Sequence, residues 1–313
     1  MTVDIIIPNY NGANLFEKNL PKVWSALQKY KGKIIVVDDG SKDSDKKHLE
    51  SIIASCKKRG MNIHYVFHLE NKGFSSAVNT GARESDAEFI VLLNSDVLPT
   101  EHFLENPLKL LSNDPKLIAV GCMDRSVEGE DVVLRGRGLA QWKNGFVQHS
   151  RGEVNASSTF WVSGGSSVFR RAIYQKLGGM DEIYNPFYWE DIDLSYRAQK
   201  AGYQLYFDKS SVVEHYHSEG AIKKNFKVSK VTTTAYRNQL IFIWKNISDR
   251  KLLASHFLRL PMTLLQAAIR RDKNLISGFI LALLKLPAII DKRQKQKILY
   301  KVADPVILNS FHE

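Results

Sequence analysis

Three short acidic segments of this 313-residue chain have the residue types for nucleotide, metal or proton-transfer chemistry: Asp38-Asp39-Gly40-Ser41, Asn94-Ser95-Asp96 and Glu190-Asp191-Ile192-Asp193. A carboxylate accepts hydrogen bonds from a pyrimidine imide or from ribose hydroxyls, which suits Asp38 or Asp39. Asp96 closes Asn94-Ser95-Asp96, a segment that directly follows the apolar run Phe89–Leu93. It could cap a helix, but Pro99 and Thr100 offer a later and better start. The alternative is an oxygen ligand to Mg²⁺ or Mn²⁺ bridging a diphosphate, since such ions need only one or two protein carboxylates. Glu190 and Asp191 stand beside Tyr188 and Trp189. Partial desolvation there raises a carboxylate's pKa and makes it a better base. Asp191 is the candidate for deprotonating an acceptor hydroxyl, with Trp189 and Glu190 touching the acceptor. The same acids also suit the dipole of a first helical turn. Asp193 and Arg197, four residues apart, read as a helix-side ion pair.

Two further turns join these. Pro8-Asn9-Tyr10-Asn11-Gly12 follows the apolar run Val3–Ile7, and Asn71-Lys72-Gly73-Phe74 opens a helical pattern. Gly73 allows close backbone approach, and a helix N-terminus favours an anion. His215 and His217 alternate after an apolar run, so a strand would put both on one face, where either could serve a metal.

These residues need a scaffold. Strands are expected at Val3–Ile7, Lys33–Val37, Ile63–Phe67, Phe89–Leu93 and Leu117–Gly121. Helices are expected near Leu15–Tyr30, Asp45–Arg59, Phe74–Glu84, Glu101–Ser112, Ala172–Leu177 and Ile192–Ala201. Such alternation predicts an α/β fold with a mostly parallel sheet flanked by helices. Ligands of open α/β sheets bind beyond the carboxyl ends of the strands, where the polar turns converge. Residues 122–160 read as an irregular β-hairpin or loop region over the site. Residues 1–220 form one expected domain, in two halves, 1–120 and 121–220.

Residues 221–313 read as a basic helical region. The chain's formal charge is +11, and this last third carries 18 Lys+Arg against 5 Asp+Glu. Such asymmetry points to an anionic surface. Leu252–Leu265 and Leu275–Ile290 are apolar stretches flanked by basic residues, as in helices lying in a membrane interface. Packing on the catalytic domain or on another subunit of a homo-oligomer is the alternative. Aliphatic surface of this kind speaks against nucleic acid. Lys285 and Pro287 interrupt the longest run, so no membrane-crossing segment is expected. No signal peptide is read in Val3–Pro8. Cys56 and Cys122 lack metal-ligand spacing and fit buried residues in a reducing compartment. Together these predict a cytoplasmic protein, peripheral on the inner face of the cell membrane.

Five ordered segments over residues 3–220 resemble the family 2 glycosyltransferases with the GT-A fold: Ile5–Asn11, Val36–Ser41, Asn71–Phe74, Leu93–Asp96 and Glu190–Leu194. Gly178-Gly179-Met180-Asp181-Glu182 also looks like the family. The resemblance implies inverting transfer from a UDP- or dTDP-linked sugar to a glycan or lipid-linked acceptor, by a catalytic domain over 1–220 with 1–120 its nucleotide-sugar half and 121–220 its acceptor half. By analogy Pro8, Tyr10, Asn11, Asp38, Asp39, Asn71, Gly73, Asn94, Ser95 and Asp96 hold the donor, and Asp191 is the base. Asp96 and His215 bind Mn²⁺ or Mg²⁺, with His217 the weaker candidate. Asn94 stands where the family's Asp-x-Asp has its first Asp. The tail, with Tyr236-Arg237-Asn238 and Lys245-Asn246, resembles rhamnosyl- and galactofuranosyltransferase-like enzymes of bacterial surface polysaccharide synthesis. The rival readings are a nucleotidyltransferase and a non-catalytic nucleotide-sugar-binding protein. Asn9–Asn14 lacks the Arg or Lys the first would need, and the second would tolerate loss of Asp191.

Overall fold

The structure is a computed structural model that describes residues 1–128, 131–216 and 226–311. His217 lies outside the described residues. The first four strands, β1 (Val3–Asn9), β2 (Ile34–Asp39), β3 (Ile63–His68) and β4 (Phe89–Leu93), are all parallel, in the order β3-β2-β1-β4. Every residue of β2 and β4 is buried, as their continuous apolar runs require of strands covered on both faces. The covering helices are α1 (Ala13–Leu27), α2 (Asp43–Lys58) and α3 (Phe74–Glu84). Acids in the first turn of α2 and lysines in its last turn complement the helix dipole.

Beyond β4 the sheet turns mixed. After the short strand β5 (Val97–Pro99) come α4 (Glu105–Asn113), β6 (Leu117–Glu128) and β7 (Asp131–Arg135). The hairpin β8 (Gly138–Lys143) and β9 (Phe146–Arg151) stands apart as a two-stranded sheet. Then follow β10 (Ser166–Arg170), α5 (Arg171–Lys176), α6 (Glu190–Lys200) and β11 (Gln204–Tyr216). The main sheet continues β4-β10-β6-β11-β5, and β10 runs antiparallel to both its neighbours. The β-hairpin expected in 122–160 is there as β8-β9, and that region is more regular than expected, since β7 and the end of β6 also lie in it. β6 runs to Glu128 rather than stopping near Gly121.

The described part of the last third is helical: α7 (Val228–Asn246), α8 (Arg250–Ile269), α9 (Lys273–Leu284), α10 (Leu286–Lys297) and α11 (Asp304–Leu308). The change of charge near 220 is not a boundary of packing. Leu240, Ile241, Phe242 and Ile243 of α7 share one core with Trp189, Ile192 and Tyr196. Asp304 accepts hydrogen bonds from Tyr196, Lys200 and Ser248, tying the end of the chain to α6. Gly278 of α9 lies so close to α7 that a Cβ would stand 3.0 Å from the Thr233 carbonyl oxygen and the Arg237 nitrogen. One expectation changes. By length and composition α8 is a helix that could cross a membrane, with a mean hydropathy of 1.3 over a window only 17% buried. α9 and α10 are bent by 63° at the Lys285 break.

Candidate active site

At the carboxyl ends of β1 and β2, side chains lock two turns together. Asn9 donates to Asp38 Oδ1 (2.7 Å) and accepts from the Gly12 N–H (3.1 Å). Asp38 also accepts from the Ser41 hydroxyl at 2.5 Å. The Asn11 N–H donates to Ser41 Oγ (2.8 Å), and its side chain accepts from the Lys42 N–H (2.9 Å). Asp38 and Asn11 thus brace the turns, while Pro8, Asn9 and Tyr10 line a cavity of about 360 Å³.

Asp39 faces that cavity. Its carboxylate accepts from the N–H groups of Lys72 (2.9 Å) and Gly73 (2.7 Å), and His68 Nδ1 lies 2.7 Å away. Asn71 Nδ2 donates to the Asp39 carbonyl at 3.2 Å. Gly73 has φ +94, and a Cβ there would sit 2.7 Å from Asn185 Cγ. Its freedom from a side chain lets α3 begin against the cavity.

Asn94, Ser95 and Asp96 line the same cavity. The Asn94 N–H donates to the Gly165 carbonyl (2.9 Å), and the Ser95 carbonyl accepts from Asn19 (2.6 Å). β5 pairs antiparallel with β11 and sets His215 opposite Val97. His215 Nε2 then lies 3.3 Å from Asp96 Oδ2, and Nδ1 lies 2.9 Å from Asp124 Oδ2. Burial opposes protonation of His215, but its bonds to Asp124 and Asp96 outweigh it and raise the pKa to about 9. Asp124 was not among the expected residues. It comes into reach only because β6 continues past Gly121.

No group of three or more His, Cys, Asp or Glu side chains poised for a metal occurs among the described residues. The donor set of one carboxylate and one imidazole fits a divalent cation that takes its other ligands from a diphosphate and water. Asp124 behind His215 is the carboxylate that orients such an imidazole. Bound there, the ion would supply charge neutralisation to a diphosphate leaving group.

The opposite wall holds the acids of α6. Asp191 accepts from the N–H groups of Gly164 (3.3 Å) and Ile192 (2.8 Å). Burial raises its pKa against the pull of those bonds. Glu190 is pushed up to about 8 by burial and then by the charge of Asp191, and its Oε2 has no hydrogen-bond partner. Tyr188 (φ 72) and Trp189 (φ 76) both adopt left-handed backbone. That conformation turns the Trp189 ring inward, 5.2 Å from Phe242 and 5.0 Å from His149. Trp189 is 5% exposed and does not line the cavity; Tyr188 does.

Of the expected site residues, Pro8, Tyr10, Asp39, Asn71, Gly73, Asn94, Ser95, Asp96, Glu190, Asp191 and His215 line one cavity, and Asn11, Asp38 and Trp189 stand behind it. Asp193 pairs with Arg197 at 2.7 Å, yet the pair is fully buried and also holds Lys245, 2.7 Å from Asp193 and from Asp181.

The family model for glycosyl transferase family 2 matches residues 4–178. The pre-mycofactocin glycosyltransferase of Mycobacterium tuberculosis strain CDC 1551 is 28% identical over 218 residues, 69% of this chain and 43% of that protein. The match thus spans less than half of that relative's length. The O-antigen chain rhamnosyltransferase RfbN of Salmonella typhimurium is 26% identical over 70% of this chain and 67% of its own. Among solved structures, the mannosyltransferase PcManGT from Pyrobaculum calidifontis, in complex with GDP-Man and Mn²⁺, is similar with a TM-score of 0.56. The similarity covers 95% of this chain and 84% of that one at 20% identity, a likeness of fold. With an α/β GT-A-like fold and a family match over more than half its length, the chain belongs to glycosyl transferase family 2.

Proposed function

We propose that this protein transfers a sugar, with inversion, from a nucleotide diphosphate sugar to a hydroxyl of a glycan or lipid-linked acceptor in envelope polysaccharide synthesis. The observation that carries the reading is one cavity lined by Asp39 and Gly73, by Asp96 and His215, and by Asp191. Asp39 and Gly73 would hold the nucleotide, and Asp96 with His215 a Mn²⁺ or Mg²⁺ ion. The acceptor oxygen bonds to the anomeric carbon while the bond from that carbon to the diphosphate oxygen breaks. The electron pair of that bond leaves with the diphosphate, and the acceptor proton passes to Asp191. Glu190 stays protonated below about pH 8, so it can donate a hydrogen bond where Asp191 accepts one. RfbN favours a rhamnose-like sugar, with a galactofuranose-like sugar the alternative, on a UDP- or dTDP-linked donor.

A thermal-shift series with UDP, dTDP and GDP, with and without Mn²⁺, tests the donor site. One nucleotide should stabilise the protein, and more so with the ion. No stabilisation by any of them contradicts the reading.

The partner surface belongs to the same reading. Of twenty exposed large apolar side chains among the described residues, eleven lie between Phe257 and Ile290. On α8, Leu258, Met262, Leu265 and Ile269 recur at helical spacing and are each more than half exposed, and Arg270, Arg271 and Lys273 follow. An apolar stripe ending in cations suits an anionic bilayer surface, on the inner face of the membrane, where a lipid-linked acceptor would be met. Full-length protein should float with vesicles containing phosphatidylglycerol, and the double variant Met262→Glu, Leu265→Glu should not. Equal flotation of both removes this surface from the reading, as does a dimer that dissociates in the variant without vesicles.

A further inference from the structure

The loop between Tyr184 and Trp189 spans the two walls of the cavity. Its Pro186, Phe187 and Tyr188 line the space. On the donor side Asn185 donates to the Lys72 carbonyl (2.6 Å) and Ser76 Oγ (2.8 Å), and the Phe74 N–H donates to the Pro186 carbonyl (3.1 Å). The other end runs straight into Glu190 and Asp191 through Tyr188 and Trp189. Two consecutive non-glycine residues with left-handed backbone are costly and persist only where the surroundings impose them.

The surroundings that impose them come from α7. Asn238 Nδ2 lies 2.8 Å from the Tyr184 carbonyl oxygen, 3.0 Å from that of Phe187 and 2.7 Å from that of Tyr188. The Arg237 guanidinium donates to the carbonyls of Tyr184 (3.0 Å) and Asn185 (2.6 Å). Arg237 Nε also donates to Asn238 Oδ1 at 2.8 Å, which fixes the amide with its NH₂ toward the loop. Asn238 is completely buried. An Asp at 238 would have the same shape but would set acceptor oxygens against three carbonyl oxygens.

We infer that Arg237 and Asn238 are positioning residues that hold Tyr188 and Trp189 in their left-handed turn and thereby aim Asp191 at the acceptor hydroxyl. The inference rests on the proposed reading of Asp191 as the base. It gives the Tyr236-Arg237-Asn238 segment a physical task that its place in a helical tail does not disclose.

The test compares turnover, nucleotide affinity and melting temperature in Asn238→Asp, Arg237→Lys and Asp191→Asn. The nucleotide is whichever of UDP, dTDP or GDP stabilises the wild type with Mn²⁺. A misaimed base loses turnover and not nucleotide, so kcat in folded Asn238→Asp should fall at least about 30-fold while Kd changes less than about threefold. Arg237→Lys keeps the charge but loses the fork, and should lose about tenfold in kcat with the same unchanged Kd. Unchanged kcat in a folded variant overturns the inference, and so do equal losses of kcat and nucleotide affinity. If Asn238→Asp does not fold, Arg237→Lys decides by the same split. Full activity in Asp191→Asn would remove the base itself. An inactive Asp191→Asn beside a fully active Asn238→Asp would remove only the bracket.

Discussion

The two walls of the cavity are built by different means. The donor wall is made of strand-end turns that follow the strands carrying them, pinned to one another by side chains, as at Asn9, Asp38 and Ser41, and by backbone N–H groups on a carboxylate, as at Asp39. The acceptor wall hangs on buried side chains from distant helices: Asn238 and Arg237 behind the loop, and Lys245 between Asp181 and Asp193. A wall suspended from buried charges depends on each of them.

Removing Lys245 should break the second wall hardest. Burial alone would raise the pKa of Asp181 and Asp193, and Lys245 leads the positive charges that outweigh it and hold both low. Lys245→Met takes the shared cation from two buried carboxylates, leaving Asp193 to Arg197 and Asp181 to the half-exposed Lys292, and urea unfolding should show a loss of about 3–5 kcal/mol. A loss under 1 kcal/mol would mean the cluster is not what suspends that wall. On the donor wall, Asp96→Ala should weaken nucleotide binding roughly 10- to 100-fold with Mn²⁺ present and leave it unchanged with chelator. Equal weakening under both conditions would separate Asp96 from the ion.

The smallest effect concerns Glu190. Its folded pKa of about 8 lies above the ordinary value near 4.3. Between these values the unfolded chain has released a proton that the folded protein keeps, so stability falls as pH rises. Glu190→Gln removes that slope. Its stability advantage should grow by up to about 1.4 kcal/mol between pH 6 and pH 7, measured by urea unfolding at each pH. Parallel pH profiles for wild type and variant would show that Glu190 is not buried as described.

The donor wall was largely legible in the sequence because each turn directly follows an apolar strand, and strands of a parallel sheet end on the same side. What stayed hidden required long-range geometry. Asp38 and Asp39 look alike as letters, but only Asp39 faces the cavity while Asp38 is turned to Asn9. Trp189 looked like an acceptor platform until its left-handed backbone turned it inward onto Phe242. Asp124 became a partner of His215 through the extension of β6 beside β11, and Asp96 met His215 through the three-residue strand β5, too short to carry a periodic signal. Asn238 and Lys245 sit on a helix whose pattern announces burial but not its partners, which lie some fifty to sixty residues earlier.

The central claim is that Asp191 takes the acceptor proton across a cavity whose other wall holds the nucleotide. The direct measurement is transfer rate and nucleoside diphosphate affinity in the same preparation of Asp191→Asn. Turnover should fall roughly 10²- to 10⁴-fold with nucleotide affinity within about threefold of wild type. Wild-type turnover, or a loss of nucleotide binding that matches the loss of turnover, would contradict it.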